Sequence, residues 1–207
     1  MNLGQELQVL DQWIEDFPKI GLETLGGEGG PMYILDIVVI GVIKRSLSLA
    51  TGLRDLVNTK NMTCSRAIVR MQLDTVSRFL AYTYVDDPSG MALAVIGGKP
   101  LHKFKCRDGK QLRDGYLIER MSEKHPWVKN TYKYTSGYVH FSEKQVFDSI
   151  QSFGNDEERT VKFQISSEDH KFPEASWIEI VQCFNEMLSI VAQLFATYKN
   201  ELKRAGR

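Results

Sequence analysis

The sequence predicts a mostly α-helical protein, an antiparallel helical bundle with a small β-hairpin insertion. At least four long segments repeat their apolar residues at helical spacing, whereas residues 147–166 alternate as paired strands do. The 207 residues are 43% hydrophobic and 25% charged, which suits a soluble globular protein with a single domain over 1–207. Long helices joined by short turns favour the antiparallel arrangement.

Residues 1–30 are predicted to form a short helix and a glycine-rich joint. Apolar residues recur at helical spacing over 4–17, and Pro18 is expected to end the helix because proline lacks a backbone donor. The joint, 26–31, has the glycine content of a phosphate-binding loop without the required order of residues, so no nucleotide is expected there.

Residues 31–86 are predicted to form a long αα-hairpin. Pro31 suits a first helical turn, and the helix is expected to run to about Asn58. The second helix is expected over 63–85, before the helix-stopping run 86–90. The apolar faces of both helices are broader than a two-helix seam needs, so a dimer interface is possible there.

The rest of the chain is predicted to alternate short and long elements. In order, these are a short helix at 92–96, helices at 109–123 and 126–140, a loop or short turn at 142–147, a hairpin pairing 147–153 with 160–166, and a final helix over 174–204.

Composition excludes several functional classes. The formal net charge of zero gives no global attraction to nucleic acid or membrane, so RNA binding would need a local patch. The three cysteines form no C-x-x-C pair, and no metal, cofactor or disulfide motif is present. A reducing, cytoplasmic location is expected, without membrane contact. Cys64 and Cys183 are expected in the core, whereas the basic neighbours of Cys106 favour a lowered thiol pKa.

The most suggestive segment is 132–142, in which Tyr132, Ser136 and His140 lie four residues apart. On a helix they would share one face, and such a polar stripe is costly to bury without partners. Either His140 handles a proton in a cleft, or His140 and Ser136 are satisfied internally and the stripe is structural.

Charged side chains recur every four residues on the preceding long helix. Arg66, Arg70, Asp74 and Arg78 would form a ladder, with favourable pairs on both sides of the aspartate. If this face is solvated, the ladder is a surface feature. If part of it is buried, an unpaired guanidinium facing a cleft would be an anion site.

Arg120 and His125 form a further candidate pair, with four residues between them. An imidazole there would take the proton of an RNA 2′-hydroxyl while the guanidinium stabilises the phosphate charge. The alternative is that His125 simply ends its helix, because Pro126 disfavours helical geometry at the preceding residue.

Two of these segments resemble a known family. Residues 64–74 resemble an A-R-x-L-x-R-x-x-x-E helix, and residues 132–142 resemble a Y-x-x-x-S-x-x-x-H-x-S helix. Together they are similar to all-helical bacterial proteins of the HEPN superfamily, including abortive-infection-type proteins, over about residues 35–200. The resemblance implies a helical bundle, often dimeric. Many such proteins are metal-independent RNases with an R-x(4–6)-H motif completed across the dimer, and others are inactive nucleotide-binding, scaffolding or antitoxin-linked modules.

By position, the resemblance makes His140 the counterpart of the motif histidine. The motif arginine is then missing, because Tyr134 and Thr135 occupy its places, and Arg70 and Asp74 from the facing helix would supply the charge. Arg120 and His125 fit the literal spacing but lack the usual polar residue after the arginine.

Two hypotheses follow. The first is an RNase or nucleotide-binding protein of a bacterial defence or toxin–antitoxin system, with His140 as the acid–base group and Arg70 as the phosphate contact. Its partners would be RNA or a nucleotide, a cognate protein and a second copy of the chain. The second is a non-catalytic helical module that binds a protein or small ligand.

Overall fold

The computed structural model describes residues 2–27, 29, 31–154 and 160–202, and within them it confirms a mostly helical bundle with a small hairpin. The described α-helices are α1 (Leu3–Leu25), α2 (Ile34–Asn58), α3 (Met62–Leu80), α4 (Pro88–Ile96), α5 (Asp114–Lys124), α6 (Trp127–Val139), α7 (Glu143–Ser149) and α8 (Glu174–Thr197). The two strands are β1 (Ile150–Phe153) and β2 (Val161–Phe163).

Helices α3 and α8 form the centre of the bundle. Helix α3 contacts α2, α5, α6 and α8, while α1 packs along α8. Phe195 of α8 lies between Phe17 and Phe79, with ring centroids 5.7 and 5.5 Å away, so one aromatic cluster joins α1, α3 and α8. Tertiary packing of these apolar faces supplies most of the stability of such helices.

Helix α1 is longer than predicted, because Pro18 lies inside it and does not end it. Proline removes one backbone hydrogen bond, but buried side chains on both sides of it hold the helix against the bundle. A Cβ on Gly21 would lie 2.5 Å from Ile43 of α2, so the two helices approach closely there. The helix ends at Gly26, whose φ of 94° suits glycine.

Three other boundaries differ from the predictions. Helix α2 begins at Ile34 and not at Pro31, because the Asp36 carboxylate accepts the Tyr33 backbone N–H at 2.7 Å. Helix α5 begins at Asp114, since residues 105–111 close a tight turn before it. The segment expected as a loop or short turn contains α7, which Ser142 caps reciprocally with Gln145.

The predicted hairpin is confirmed with shorter strands, since residues 147–149 belong to α7. Strands β1 and β2 are antiparallel, with Phe153 opposite Val161 and Ile150 opposite Phe163, and residues 155–159 of their connection lie outside the described residues. After α8 the chain continues as a π-helical turn, Tyr198–Leu202, and the predicted end of the helix at residue 204 also lies outside them.

Candidate functional site

The charged ladder of α3 divides into a buried half and an exposed half. The side chains of Arg66 and Arg70 are only 6% and 9% exposed, because α6 packs over them. Arg78 is more than half exposed and pairs with Asp114 of α5 at 3.2 Å. Asp74 pairs with Arg70, as its spacing predicts, and not with Arg78.

Arg66 is held by an acid and three aromatic rings. Its Nη1 donates to the Tyr138 hydroxyl and, at 2.9 Å, to the Asp148 carboxylate, which also accepts the Tyr138 hydroxyl at 3.0 Å. The guanidinium carbon lies 4.6–5.0 Å from the rings of Tyr134, Tyr138 and Phe172. Burial raises the pKa of Tyr138, so this phenol stays protonated as a donor.

Arg70 gathers most of the residues predicted for the site. Its Nε donates to Ser136 Oγ at 3.3 Å, its Nη1 pairs with the Asp74 carboxylate, and its guanidinium carbon lies 4.1 Å from the Tyr132 ring centroid. The Ser136 hydroxyl itself donates to the Tyr132 carbonyl at 2.6 Å. These four residues therefore form one network between α3 and α6.

His140 does not belong to this network. It lies one residue beyond α6 with an extended backbone, and its side chain is exposed. Its carbonyl accepts a hydrogen bond from Gln145, and Ser142 starts the next helix, so the chain turns away here. The predicted common face holds for Tyr132 and Ser136 and ends before His140, whose imidazole makes no hydrogen bond or ion pair within the described part of the chain.

A cavity of about 310 Å³ lies beside Arg66, between α3, α6 and α8. Tyr134, Thr131, Glu179 and Cys183 contribute to its lining. Burial raises the pKa of the Cys183 thiol to about 11, so near neutral pH this cysteine is a thiol and not a nucleophilic thiolate.

The structure places Arg120 and His125 in the lining of one cavity of about 260 Å³, between α5, α8 and the 3₁₀ turn after α3. His125 ends α5, yet its backbone N–H still bonds to the preceding turn, so Pro126 does not displace it from Arg120. Arg120 lies 5.3 Å from the ring centroid of Tyr84 and 3.4 Å from the Glu123 carboxylate. Its buried Nε has no hydrogen-bond partner among the described residues.

Sequence reasoning missed the three residues Tyr138, Asp148 and Phe172, which contact Arg66. A signal existed for Tyr138, because it follows Tyr134 by four residues and so shares its helical face. No local signal marked Asp148, which is 82 residues from Arg66 in a segment expected to be a strand.

Two cysteines differ from expectation in environment. Cys64 is exposed and not in the core. Burial raises the pKa of the Cys106 thiol, but hydrogen bonds from the Tyr116 hydroxyl and from two backbone groups outweigh it, so the pKa is lowered overall. The Tyr116 contact, at 3.2 Å, is therefore the specific cause, and not the flanking Lys105 and Arg107.

Within the described residues, no group of three or more His, Cys, Asp or Glu side chains is placed to hold a metal ion. One helix in the same residues, Glu174–Asn200, is long and apolar enough to span a membrane, but half of its most apolar stretch is buried in the bundle. Core helices of soluble proteins share this length and composition.

No protein-family model matches the chain, and no curated protein or solved structure matches it.

Proposed function

We propose that the chain is a HEPN-like helical protein of a bacterial defence or toxin–antitoxin system, which binds RNA or a nucleotide through Arg120 and His125 and acts as a metal-independent RNase. The observation that carries this proposal is the shared cavity of these two side chains, in which the Arg120 Nε lacks a partner among the described residues. A buried donor without a partner is costly, and an anionic oxygen would satisfy it.

The chemistry of the cavity suits a phosphodiester. His125 supplies an imidazole for general acid–base chemistry, and Arg120 supplies a guanidinium for the phosphate charge that builds up during attack by the 2′-hydroxyl. Lys124 adds a second cation to the lining. Burial raises the pKa of Tyr84, so its phenol remains a neutral hydrogen-bond donor at neutral pH. Glu123 reduces the local positive charge, and Arg120 would have to exchange this carboxylate for the incoming phosphate.

The environments of Arg66 and Arg70 support this location of the site over α3. Both guanidiniums are buried and already paired with Asp148 and Asp74. The buried Nε of Arg66 also has no hydrogen-bond partner among the described residues, but no histidine lines the cavity beside it, whereas His125 lines the cavity of Arg120. The imidazole of His140 lies outside the network. In this proposal the residues of α3 and α6 that resemble the HEPN motifs stabilise the fold, and Arg120 and His125 at the end of α5 carry out catalysis.

The test is cleavage of a mixed RNA pool in EDTA by folded wild-type, His125→Ala, Arg120→Gln, His140→Ala and Arg70→Ala proteins. We expect loss of at least 100-fold in rate for His125→Ala and Arg120→Gln, since general acid–base and charge-stabilising groups each contribute on this order. His140→Ala is the matched control, because it removes an exposed imidazole outside the cavity.

Other outcomes would change the conclusion. Loss of cleavage only with His140→Ala and Arg70→Ala would move the site to the α3–α6 network. If the wild type neither cleaves nor binds RNA or nucleotides, the proposal is wrong, and the non-catalytic interaction module becomes the better account.

A second candidate function, protein interaction, is favoured by an unpartnered apolar surface on the hairpin and its surroundings. Pairing of Phe153 with Val161 places them on one face of the hairpin with Phe163, whereas Lys162 lies on the other face. Phe153 and Phe163 are about two-thirds exposed, at 65% and 63%. An isolated two-stranded ribbon is marginally stable in water, so burial of this apolar face against another protein surface would stabilise the hairpin.

The exposed apolar side chains near the hairpin favour a second copy of the chain as the partner. Eight of the described residues between 139 and 165 have such side chains: Val139, Phe141, Val146, Phe147, Phe153, Val161, Phe163 and Ile165. At about 200 Å² for each aromatic side chain, the four phenylalanines expose on the order of 550 Å². Phe153, Val161 and Phe163 share one face, and exposed apolar patches of a few hundred Å² are often interaction sites. The zero net charge adds no overall repulsion between copies.

A further inference from the structure

A cavity of about 620 Å³ lies between α2, α3 and the segment that includes α4 and the loop after it. Its volume is within the range of small-molecule sites, about 300–1,000 Å³. Apolar side chains from all three segments form its body: Val42, Phe79, Tyr82, Val95 and Leu101. It is separate from the Arg120–His125 cavity and plays no part in the proposed function.

Two cations on the rim of this cavity have no carboxylate partner among the described residues. Arg45 donates its Nε to the Thr75 hydroxyl at 2.9 Å, which leaves both terminal nitrogens of the guanidinium free of protein hydrogen bonds there. Lys99, in the loop after α4, also lines the cavity, and its ammonium lies 4.5 Å from the ring centroid of Phe104. Both side chains are exposed, so they are available to a ligand.

The other charged residues of the lining are engaged elsewhere. The single carboxylate, Asp74, is paired with the buried Arg70. Arg78 is also in the lining, but its guanidinium pairs with Asp114 outside it. The charge offered to a ligand therefore comes from Arg45 and Lys99, and it is positive.

Gly41 keeps the α2 wall of the cavity open. It lies in the interior of a helix, where glycine is less favourable than alanine, yet a Cβ placed on it would meet no heavy atom within 4 Å. Close helix packing therefore does not explain the glycine. Gly41 lines the cavity, so a longer side chain there would compete with a ligand for this open space.

We propose that this cavity binds an amphipathic organic anion, with an apolar chain held between α2, α3 and α4 and a carboxylate or phosphate head between Arg45 and Lys99. Apolar walls alone would accept a neutral hydrocarbon, and cations alone would accept inorganic phosphate. The combination selects a molecule that carries both parts.

Isothermal titration calorimetry of the full chain with decanoate, decyl phosphate and inorganic phosphate tests this proposal. We expect both decyl compounds to bind and inorganic phosphate to bind at least 10-fold more weakly, and the stronger of the two decyl compounds identifies the head group. Gly41→Leu should abolish binding by filling the cavity, and Arg45→Gln should weaken it at least 10-fold. Lys44→Gln is the matched control, because Lys44 is the exposed neighbour that does not line the cavity.

Three results would overturn the proposal. The first is that neither decyl compound binds the wild-type protein. The second is that they bind and Gly41→Leu has no effect, which would place binding on another surface, such as the exposed face of the hairpin. The third is that inorganic phosphate binds as tightly as decyl phosphate, which would show that the apolar walls contribute nothing. Circular dichroism of each variant checks that the helical fold is intact.

Discussion

At the scale of single residues, burial decides what the arginines of α3 do. Arg66 and Arg78 are both on α3 and both pair with an acid, but α6 covers only the first of them. A covered guanidinium needs its charge compensated within the protein, and Asp148, Tyr138 and the surrounding rings do this for Arg66. An exposed guanidinium exchanges its partner for water at little cost.

We therefore predict that Arg66→Met destabilises the protein far more than Arg78→Met does. Loss of Arg66 removes its contacts with three rings and leaves Asp148, whose side chain is 20% exposed, without its cation. The free energy of unfolding should fall by about 3 kcal/mol for Arg66→Met and by less than about 1 kcal/mol for Arg78→Met. Urea unfolding followed by circular dichroism measures both. Equal losses would show that the buried network is not structural.

The sequence predicted only part of this network. Four-residue spacing on a helix indicates which side chains share a face, and this brought Tyr132 near Ser136 and Arg70 near Asp74. It cannot indicate which distant acid will meet a buried cation, and so Asp148 was missed. The four-residue spacing places side chains on one face only while the helix continues. His140 was predicted to share the face of Tyr132 and Ser136, but α6 ends at Val139.

At the scale of elements, the helices were predictable and their ends were not. Periodic apolar residues located the cores of the long helices, α1, α2, α3 and α8, because burial of one face dominates their stability. Ends depend on local competition. Pro18 does not end α1, because packing of the helix against the bundle outweighs the lost backbone hydrogen bond. The reciprocal cap of Ser142 and Gln145 stabilises α7 in a segment that was expected to be a loop or short turn.

Two helical glycines should respond in opposite directions to substitution by alanine. Gly21→Ala would place a Cβ 2.5 Å from the Cδ1 of Ile43 and force that contact to repack, at a cost of about 1–3 kcal/mol in the free energy of unfolding. Gly41→Ala meets no neighbour, and it should stabilise α2 by about 0.5–1 kcal/mol through lower backbone entropy in the unfolded state.

Thermal and urea unfolding of the two alanine variants test this pair. The substitution is chemically identical in both variants. Changes of opposite sign in the free energy of unfolding would therefore result from the atoms that surround each glycine. Destabilisation by Gly41→Ala would show that the space beside α2 is filled, and would also count against the anion site proposed there.

At the scale of the whole molecule, the bundle and the hairpin differ in how they are stabilised. The bundle has a continuous core that includes large, fully buried side chains such as Phe17, Phe184 and Phe195. The hairpin contacts mainly α7 and presents its apolar face to solvent. Alternation in the sequence predicted the two strands, but it could not show that their apolar face points away from the bundle.

Self-association through this face is the prediction that belongs to the whole molecule. Sedimentation equilibrium should show a dimer of the wild-type chain, and Phe153→Thr with Phe163→Thr should weaken it at least 100-fold. The reason is that burying each phenylalanine contributes about 1.5–3 kcal/mol, whereas threonine keeps the preference for strand structure. Lys162→Thr is the matched control, because it changes the same strand on its polar face and should leave the dimer intact. A wild-type monomer at high concentration would contradict the prediction. So would a dimer that resists the double substitution, since its interface would then lie elsewhere, for example on the long helices of the αα-hairpin.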